Sequence, residues 1–165
     1  MSEHHWPAYA ILFFVTFQRL SELQIARSNT RRLLAAGAYE HAPGHYPLIV
    51  AVHAGWLATL FWLAPGRDIH WPLFALFMLL QAGRLWVLRT LGPRWTTRII
   101  VLPNAPLVTG GPFRFVRHPN YLVVIGEIAV LPLVFGLWQV ALLFSVLNAL
   151  VLTIRIRAEM SALGG

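Results

Sequence analysis

The chain has 165 residues, of which 58% are hydrophobic and only 12% are charged, and this balance excludes an ordinary soluble domain of its size. The 13 basic residues are all arginine and outnumber the 6 acidic residues, which gives a formal net charge of +7. These arginines lie beside apolar runs, a pattern that is typical of membrane proteins and argues against nucleic-acid binding. Because the chain has no cysteine, it can form neither disulfides nor thiolate metal sites, and no other metal-ligand spacing is apparent.

Three helices are predicted from the apolar runs of the N-terminal half. The first covers residues 6–36, and its amphipathic second half is expected to leave the bilayer at the headgroup level. The second covers residues 46–64 and ends at a Pro-Gly turn. The third covers residues 71–91 and ends before a Gly-Pro pair.

The C-terminal half is predicted to be a connector followed by a helical hairpin. Residues 93–119 are rich in proline and show no helical period. Pro119 suits the first turn of a fourth helix over residues 120–135. Gly136 then allows a tight turn into a fifth helix over residues 137–160.

The chain is therefore interpreted as a single all-α integral-membrane domain, residues 1–165, with about five transmembrane helices. Residues 1–91 supply three N-terminal helices, and residues 92–165 supply the connector and the hairpin. Arginines are concentrated in the second half of the first helix, around and after the end of the third helix, and near the end of the fifth, whereas the opposite side holds only Arg67. The positive-inside rule then predicts an N-terminus outside and the three arginine-rich regions in the cytoplasm.

Polar residues converge on the two arms of the predicted hairpin. His118 and Tyr121 stand at the start of the fourth helix, in a basic and turn-rich stretch. On the fifth helix Arg155 and Glu159 are neighbours at i and i+4, a spacing that is also typical of a salt bridge capping a membrane span. Because both sets fall at the cytoplasmic end, we expect them to face one pocket, since polar groups near a bilayer persist mainly where they serve function.

These residues resemble the C-terminal signature of a known family. The signature consists of the Gly-Pro-Phe triplet at 111–113, the Arg-His-Pro-Asn-Tyr run at 117–121, and Arg155 followed by Glu159. Together they are similar to the isoprenylcysteine carboxyl methyltransferase family, whose members are integral-membrane enzymes that use S-adenosylmethionine. The segment at 19–23 looks like a bacterial branch, some of which is associated with methylation of polyketide-derived phenolic lipids. The resemblance implies a bacterial inner-membrane protein.

The resemblance also implies a reaction and its residues. The methyl group of S-adenosylmethionine would pass to a carboxylate or phenolic oxygen of a hydrophobic, lipid-like or prenylated acceptor in the bilayer. Arg155 would contact that acceptor. A cytoplasmic-side pocket built by the connector 93–119 and the hairpin would hold the cofactor, through Val101, Ala105, Pro106, Leu107, Val108, Phe113, His118, Pro119, Asn120, Tyr121 and Glu159.

The role expected of Glu159 differs in one respect from the family pattern. Many members carry two adjacent acids where this chain has Glu159 followed by Met160. The role of the cofactor-binding carboxylate therefore rests on Glu159 alone, and a carboxylate can accept both ribose hydroxyls.

Glu127 lies about two turns into the fourth helix, and an acid at such depth is a functional candidate. Two interpretations stay open: a catalytic role, as substrate contact or proton acceptor, or an ion pair with Arg84 or Arg155. Gln81 and Arg84 could line the cofactor site, and a snorkelling Arg84 is the alternative.

Two other functions compete with methyl transfer. An NADPH-dependent membrane reductase of the sterol reductase type shares a similar Arg-His-x-Asn-Tyr pattern, but its acid follows the tyrosine sooner than Glu127 follows Tyr121. A non-catalytic membrane scaffold is the third possibility, and cofactor binding would exclude it.

Overall fold

The computed structural model describes residues 5–163, and five helices make up most of that stretch. The helices are α1 (Trp6–Ala35), α2 (Tyr46–Leu63), α3 (Trp71–Leu91), α4 (Pro119–Val134) and α5 (Trp138–Leu163). All five predicted helices are confirmed, each within three residues at either end. They run alternately up and down, so α1, α3 and α5 end where α2 and α4 begin; we refer to this as the site end of the bundle.

Three helical segments are long and apolar enough to cross a membrane, by length and composition: Pro43–Leu63, Trp71–Arg94 and Trp138–Ala162. The chain is thus an integral membrane protein. α4 is apolar but has only 16 residues, against the roughly 20 that a span needs. α1 has 30 residues, and its five charged residues all lie from Arg19 onward. The expectation of five spans remains a prediction for these two helices.

α4 is the central helix of the bundle and packs against both α3 and α5. Pro132 lies inside α4 and has no N–H to donate to the carbonyl of Ile128, four residues earlier. The buried indole of Trp56 in α2 donates to that carbonyl instead, at 3.2 Å. A main-chain acceptor in an apolar bundle is costly to leave unpaired, so this contact ties α2 to α4 where the helix is interrupted.

A short strand pair, which the sequence did not predict, joins the α1–α2 connection to the connector. Strand β1 (Tyr39–Glu40) pairs antiparallel with β2 (Ile100–Val101). Arg98 reinforces the pair, because its Nη1 lies 2.8 Å from a Glu40 carboxylate oxygen. Apart from these two-residue strands, the all-α prediction holds over residues 5–163.

The connector reaches α4 through a turn that requires glycine. Gly111 begins the 3-10 turn Gly111–Arg114 with a φ of +54°, a backbone conformation that other residues rarely adopt. A Cβ at this position would lie 2.3 Å from the Thr90 hydroxyl oxygen near the end of α3. The turn can therefore sit this close to α3 only with glycine at its first position.

We predict that Gly111→Ala destabilises the protein, by about 1–3 kcal/mol, because it adds both backbone strain and a steric clash. The midpoint of thermal unfolding in detergent measures the effect. Gly110→Ala is the matched control, since a Cβ there meets nothing within 4 Å and its φ of −82° is ordinary. Equal midpoints for the two variants would contradict the close packing described for this turn.

Candidate active site

Four side chains meet where the two arms of the hairpin lie side by side at the site end; we call them the hairpin site. Tyr121 donates its hydroxyl hydrogen to Oε2 of Glu159 and accepts a hydrogen bond from Nε of Arg155 at 3.0 Å. Nδ1 of His118 lies 3.9 Å from the same Glu159 oxygen. The structure thus brings the two predicted polar sets together, and a common pocket between them remains a prediction.

Local sequence explains why the four side chains converge. Pro119 occupies the first turn of α4, where its missing N–H is not needed, and fixes the start of the helix directly after His118. Gly136 adopts a φ of +68° and turns the chain back, so the start of α4 lies beside the end of α5. On α5 the spacing of four residues then stacks Arg155 and Glu159 on one face.

The inner end of the hairpin site is buried, and its outer edge is partly exposed to solvent. Tyr121 is only 8% exposed, and its ring stacks on that of His118 with centroids 5.2 Å apart and an interplanar angle of 18°. The side chains of His118 and Glu159 are 36% and 29% exposed. A ligand arriving from the aqueous side would therefore meet an imidazole and a carboxylate first, with the tyrosine beneath them.

The connector contributes one contact that sequence reasoning missed. Nη1 of Arg155 donates to the main-chain carbonyl of Thr97 at 2.7 Å, and the Thr97 hydroxyl lies 3.1 Å from that of Tyr46. A main-chain acceptor leaves no signature in the sequence, because any residue type supplies it. The Arg155 guanidinium is thus held between Tyr121 and the connector.

Within the described part of the chain, the other connector residues predicted to bind a cofactor make no hydrogen bond with the four side chains of the hairpin site. Val101 pairs in β2, Leu107 is 71% exposed, and Phe113 packs against the small apolar cluster that includes Trp95. The N–H of Ala105 donates to the Leu102 carbonyl at 3.2 Å. Their role toward a cofactor, like that of Pro106 and Val108, remains a prediction.

Asn120 presents a different feature, which is an unused polar atom. Its Oδ1 is buried and has no hydrogen-bond partner among the residues that the structure describes. Buried acceptors of this kind are rare in folded proteins, because losing water without a replacement bond is unfavourable. Oδ1 of Asn120, directly before Tyr121, is therefore suited to accept a hydrogen bond from a ligand.

Glu127 lies in the middle of the bundle and is not part of the hairpin site. It is 1% exposed, and Nε of Arg84 and Nη2 of Arg19 lie 2.7 and 2.6 Å from its oxygens. A second nitrogen of Arg84 also donates to it, and Nε2 of Gln81 donates at 2.8 Å. Of the two arginines considered as ion-pair partners, the structure places Arg84 against Glu127, whereas Arg155 is one of the four hairpin-site side chains.

A second carboxylate completes this arrangement. Glu22 of α1 is 6% exposed and accepts from Nη1 of Arg84 at 2.9 Å. Two arginines and two glutamates thus form a charge-balanced set across α1, α3 and α4, which we call the buried charge network: Arg19, Glu22, Arg84 and Glu127. Sequence reasoning did not identify Arg19 as a partner of Glu127 or Glu22 as a partner of Arg84, although the i, i+3 spacing of Arg19 and Glu22 in one helix was a usable signal. Within residues 5–163, no three His, Asp or Glu side chains are grouped so that they could hold a metal ion.

Comparison with known proteins adds to this geometry. The chain is 38% identical over 163 residues to the uncharacterized protein YpbQ of Bacillus subtilis (strain 168), which covers 96% of this chain and 95% of that protein. It is 26% identical over 151 residues to an uncharacterized protein of Haemophilus influenzae, covering 88% of each chain. No solved structure matches.

The family comparison covers the part of the chain that builds the hairpin site. The model of the isoprenylcysteine carboxyl methyltransferase (ICMT) family matches residues 73–164, more than half of the chain. This range includes all but the first two residues of α3, the connector, both arms of the hairpin and all four side chains of the hairpin site. The chain belongs to the isoprenylcysteine carboxyl methyltransferase family.

Proposed function

We propose that this protein transfers a methyl group from S-adenosylmethionine to a carboxylate or phenolic oxygen of a hydrophobic, lipid-like acceptor. Family membership and three membrane-length apolar helices support a membrane methyltransferase. They favour this function over a membrane reductase or a scaffold. The observation that carries the proposal is the position of Tyr121, whose hydroxyl joins Glu159 to Arg155 across the hairpin.

The residues of the hairpin site fit the proposed cofactor. S-adenosylmethionine supplies an activated methyl group on a sulfonium, and it presents hydroxyl and amino donors. The partly exposed Glu159 carboxylate and the buried, unused Oδ1 of Asn120 are acceptors for such donors. The carboxylate also balances the positive charge of the sulfonium. The partly exposed His118 ring, which stacks on Tyr121, offers a flat surface to an adenine.

Arg155 is proposed to orient the acceptor. It lies one turn further from the end of α5 than Glu159, closer to the apolar part of the bundle where a lipid-like molecule would lie. Its planar guanidinium is held by Tyr121 and by the Thr97 carbonyl, so it is positioned before any ligand arrives. A fixed guanidinium is suited to align a carboxylate or phenolate oxygen, and alignment is the main requirement of an in-line displacement.

We expect Glu159→Gln to weaken binding of S-adenosylhomocysteine by about one to two decades in Kd, because a charged hydrogen-bond acceptor is lost. Isothermal titration calorimetry in detergent measures this, with NADPH titrated in parallel as the alternative ligand. Asp68→Asn is the matched control, since it removes one exposed carboxylate far from the site end. Unchanged affinity in Glu159→Gln, or binding of NADPH alone, would end the assignment.

Arg155→Lys is expected to reduce turnover by at least tenfold while changing cofactor affinity little, because lysine keeps the charge but loses the planar fork. A methylation assay on phenolic lipids and prenylcysteine analogues would be paired with cofactor titration of the same preparation. Arg157→Lys is the control, an exposed arginine two residues further along the same helix. If Arg155→Lys lost cofactor binding but kept normal turnover at saturating cofactor, Arg155 would contact the cofactor and not the acceptor.

A structural role and a catalytic role for Glu127 predict different effects of its substitution on stability and on methyl transfer. Its burial against Arg84 and Arg19 supports a structural role, so Glu127→Gln should lower stability by about 3–5 kcal/mol, because it leaves buried arginine charge unbalanced. The double variant Glu127→Gln with Arg84→Gln restores the balance and should recover part of that loss. If Glu127→Gln unfolds at the wild-type temperature but loses methyl transfer, the catalytic role is supported instead.

A further inference from the structure

A groove runs along the outside of the bundle between α1 and α3. It consists of two adjoining cavities of about 310 and 350 Å³, which share Ile25, Leu85 and Leu88 as lining residues. We call the 310 Å³ cavity the inner cavity and the 350 Å³ cavity, at the site end, the outer cavity. The inner cavity is bordered by the exposed aromatic side chains of Phe14 and Phe17 of α1. Because α3 has the length and composition of a membrane span, the apolar groove along its side is placed to meet lipid chains.

The charge of the groove changes along its length. The inner cavity reaches the buried, paired Arg84 and Glu22, which balance each other. The outer cavity, at the site end, is lined by Arg32 and Arg89. Among the described residues that line it, there is no Asp or Glu to balance these two arginines.

Arg32 is held in place by a buried side chain. Asn29 is 2% exposed, and its amide donates to the carbonyls of Gly92 and Trp95 at 3.1 and 2.8 Å. Its remaining oxygen accepts a hydrogen bond from Arg32. The two ends of the Asn29 side chain thus connect the turn after α3 to the Arg32 guanidinium, which fixes that guanidinium beside the outer cavity.

We propose that this groove is a binding site for an anionic phospholipid, separate from the hairpin site. One acyl chain lies between α1 and α3, along the apolar lining, and the phosphate is bound by Arg32 and Arg89 at the site end. Two guanidiniums without a balancing acid match a phosphate, and guanidiniums form bidentate bonds with its oxygens. The groove is apolar in its inner part and basic at its outer end. This is the same sequence of environments that a lipid needs for its acyl chain and its anionic headgroup.

The experiment measures lipid preference directly. Purified protein in detergent is mixed with equal amounts of phosphatidylglycerol and phosphatidylcholine that carry the same chains, and native mass spectrometry gives the ratio of bound lipids. The wild type should favour phosphatidylglycerol on the order of tenfold, and Arg32→Gln with Arg89→Gln should lose that preference, because two arginines near the membrane surface contribute comparable attraction for anionic lipid. If the double variant proves unstable, Arg89→Gln alone should show part of the loss.

Two controls separate this site from its alternatives. Arg27→Gln with Arg31→Gln removes the same charge from α1 outside the groove lining and should keep the preference; equal loss in both double variants would mean a diffuse surface effect and overturn the proposal. Leu85→Trp fills the groove and should reduce binding of both lipids. The proposal would also be overturned if inorganic phosphate displaced the lipid, or if the wild type bound phosphatidylglycerol and phosphatidylcholine equally. Cofactor affinity should be unchanged in all groove variants, so failure here leaves the proposed methyl transfer untouched.

Discussion

The structure depends on balancing four charges inside an apolar bundle. Removing one partner from such a buried set is strongly unfavourable, on the order of 3–5 kcal/mol, because it leaves an unbalanced charge in a medium that cannot solvate it. Glu127 must therefore remain within reach of both Arg19 and Arg84, and this requirement fixes the rotation and height of α4 relative to α1 and α3. Sliding α4 along its neighbours would separate these paired charges, so the network disfavours other registers of the helix.

The same helix serves two purposes on two faces. Tyr121 and Glu127 are six residues apart, which at 3.6 residues per turn places them on faces about 120° from each other. One face meets α1 and α3 through the charge network, and the other meets α5 through the hairpin site. Because the network fixes α4, it also determines where the Tyr121 hydroxyl lies relative to Arg155 and Glu159.

Much of this arrangement was predictable from sequence because it is local. Apolar runs between Gly and Pro breaks gave the helix boundaries, and the spacings 118–121 and 155–159 gave two halves of a site that a hairpin must bring together. What escaped prediction depends on contacts between distant segments. β1 and β2 have two residues each, too few to show alternation. The Thr97 carbonyl carries no side-chain signal, and Arg19 lies 108 residues from Glu127.

The charge network also constrains the order in which the protein can be assembled on the ribosome. Arg19 and Glu22 are synthesised before the other two members of the network. Within α1, Glu22 has Arg19 at 4.0 Å and accepts a hydrogen bond from the Gln18 amide at 3.0 Å. Arg84, the partner of Glu22, is synthesised 62 residues later, and Glu127, the partner of Arg19, is synthesised 108 residues later. The charges of α1 thus gain their partners on other helices only when those later helices have been made. We expect α1 to reach its final position against α3 and α4 only after α4 has been synthesised.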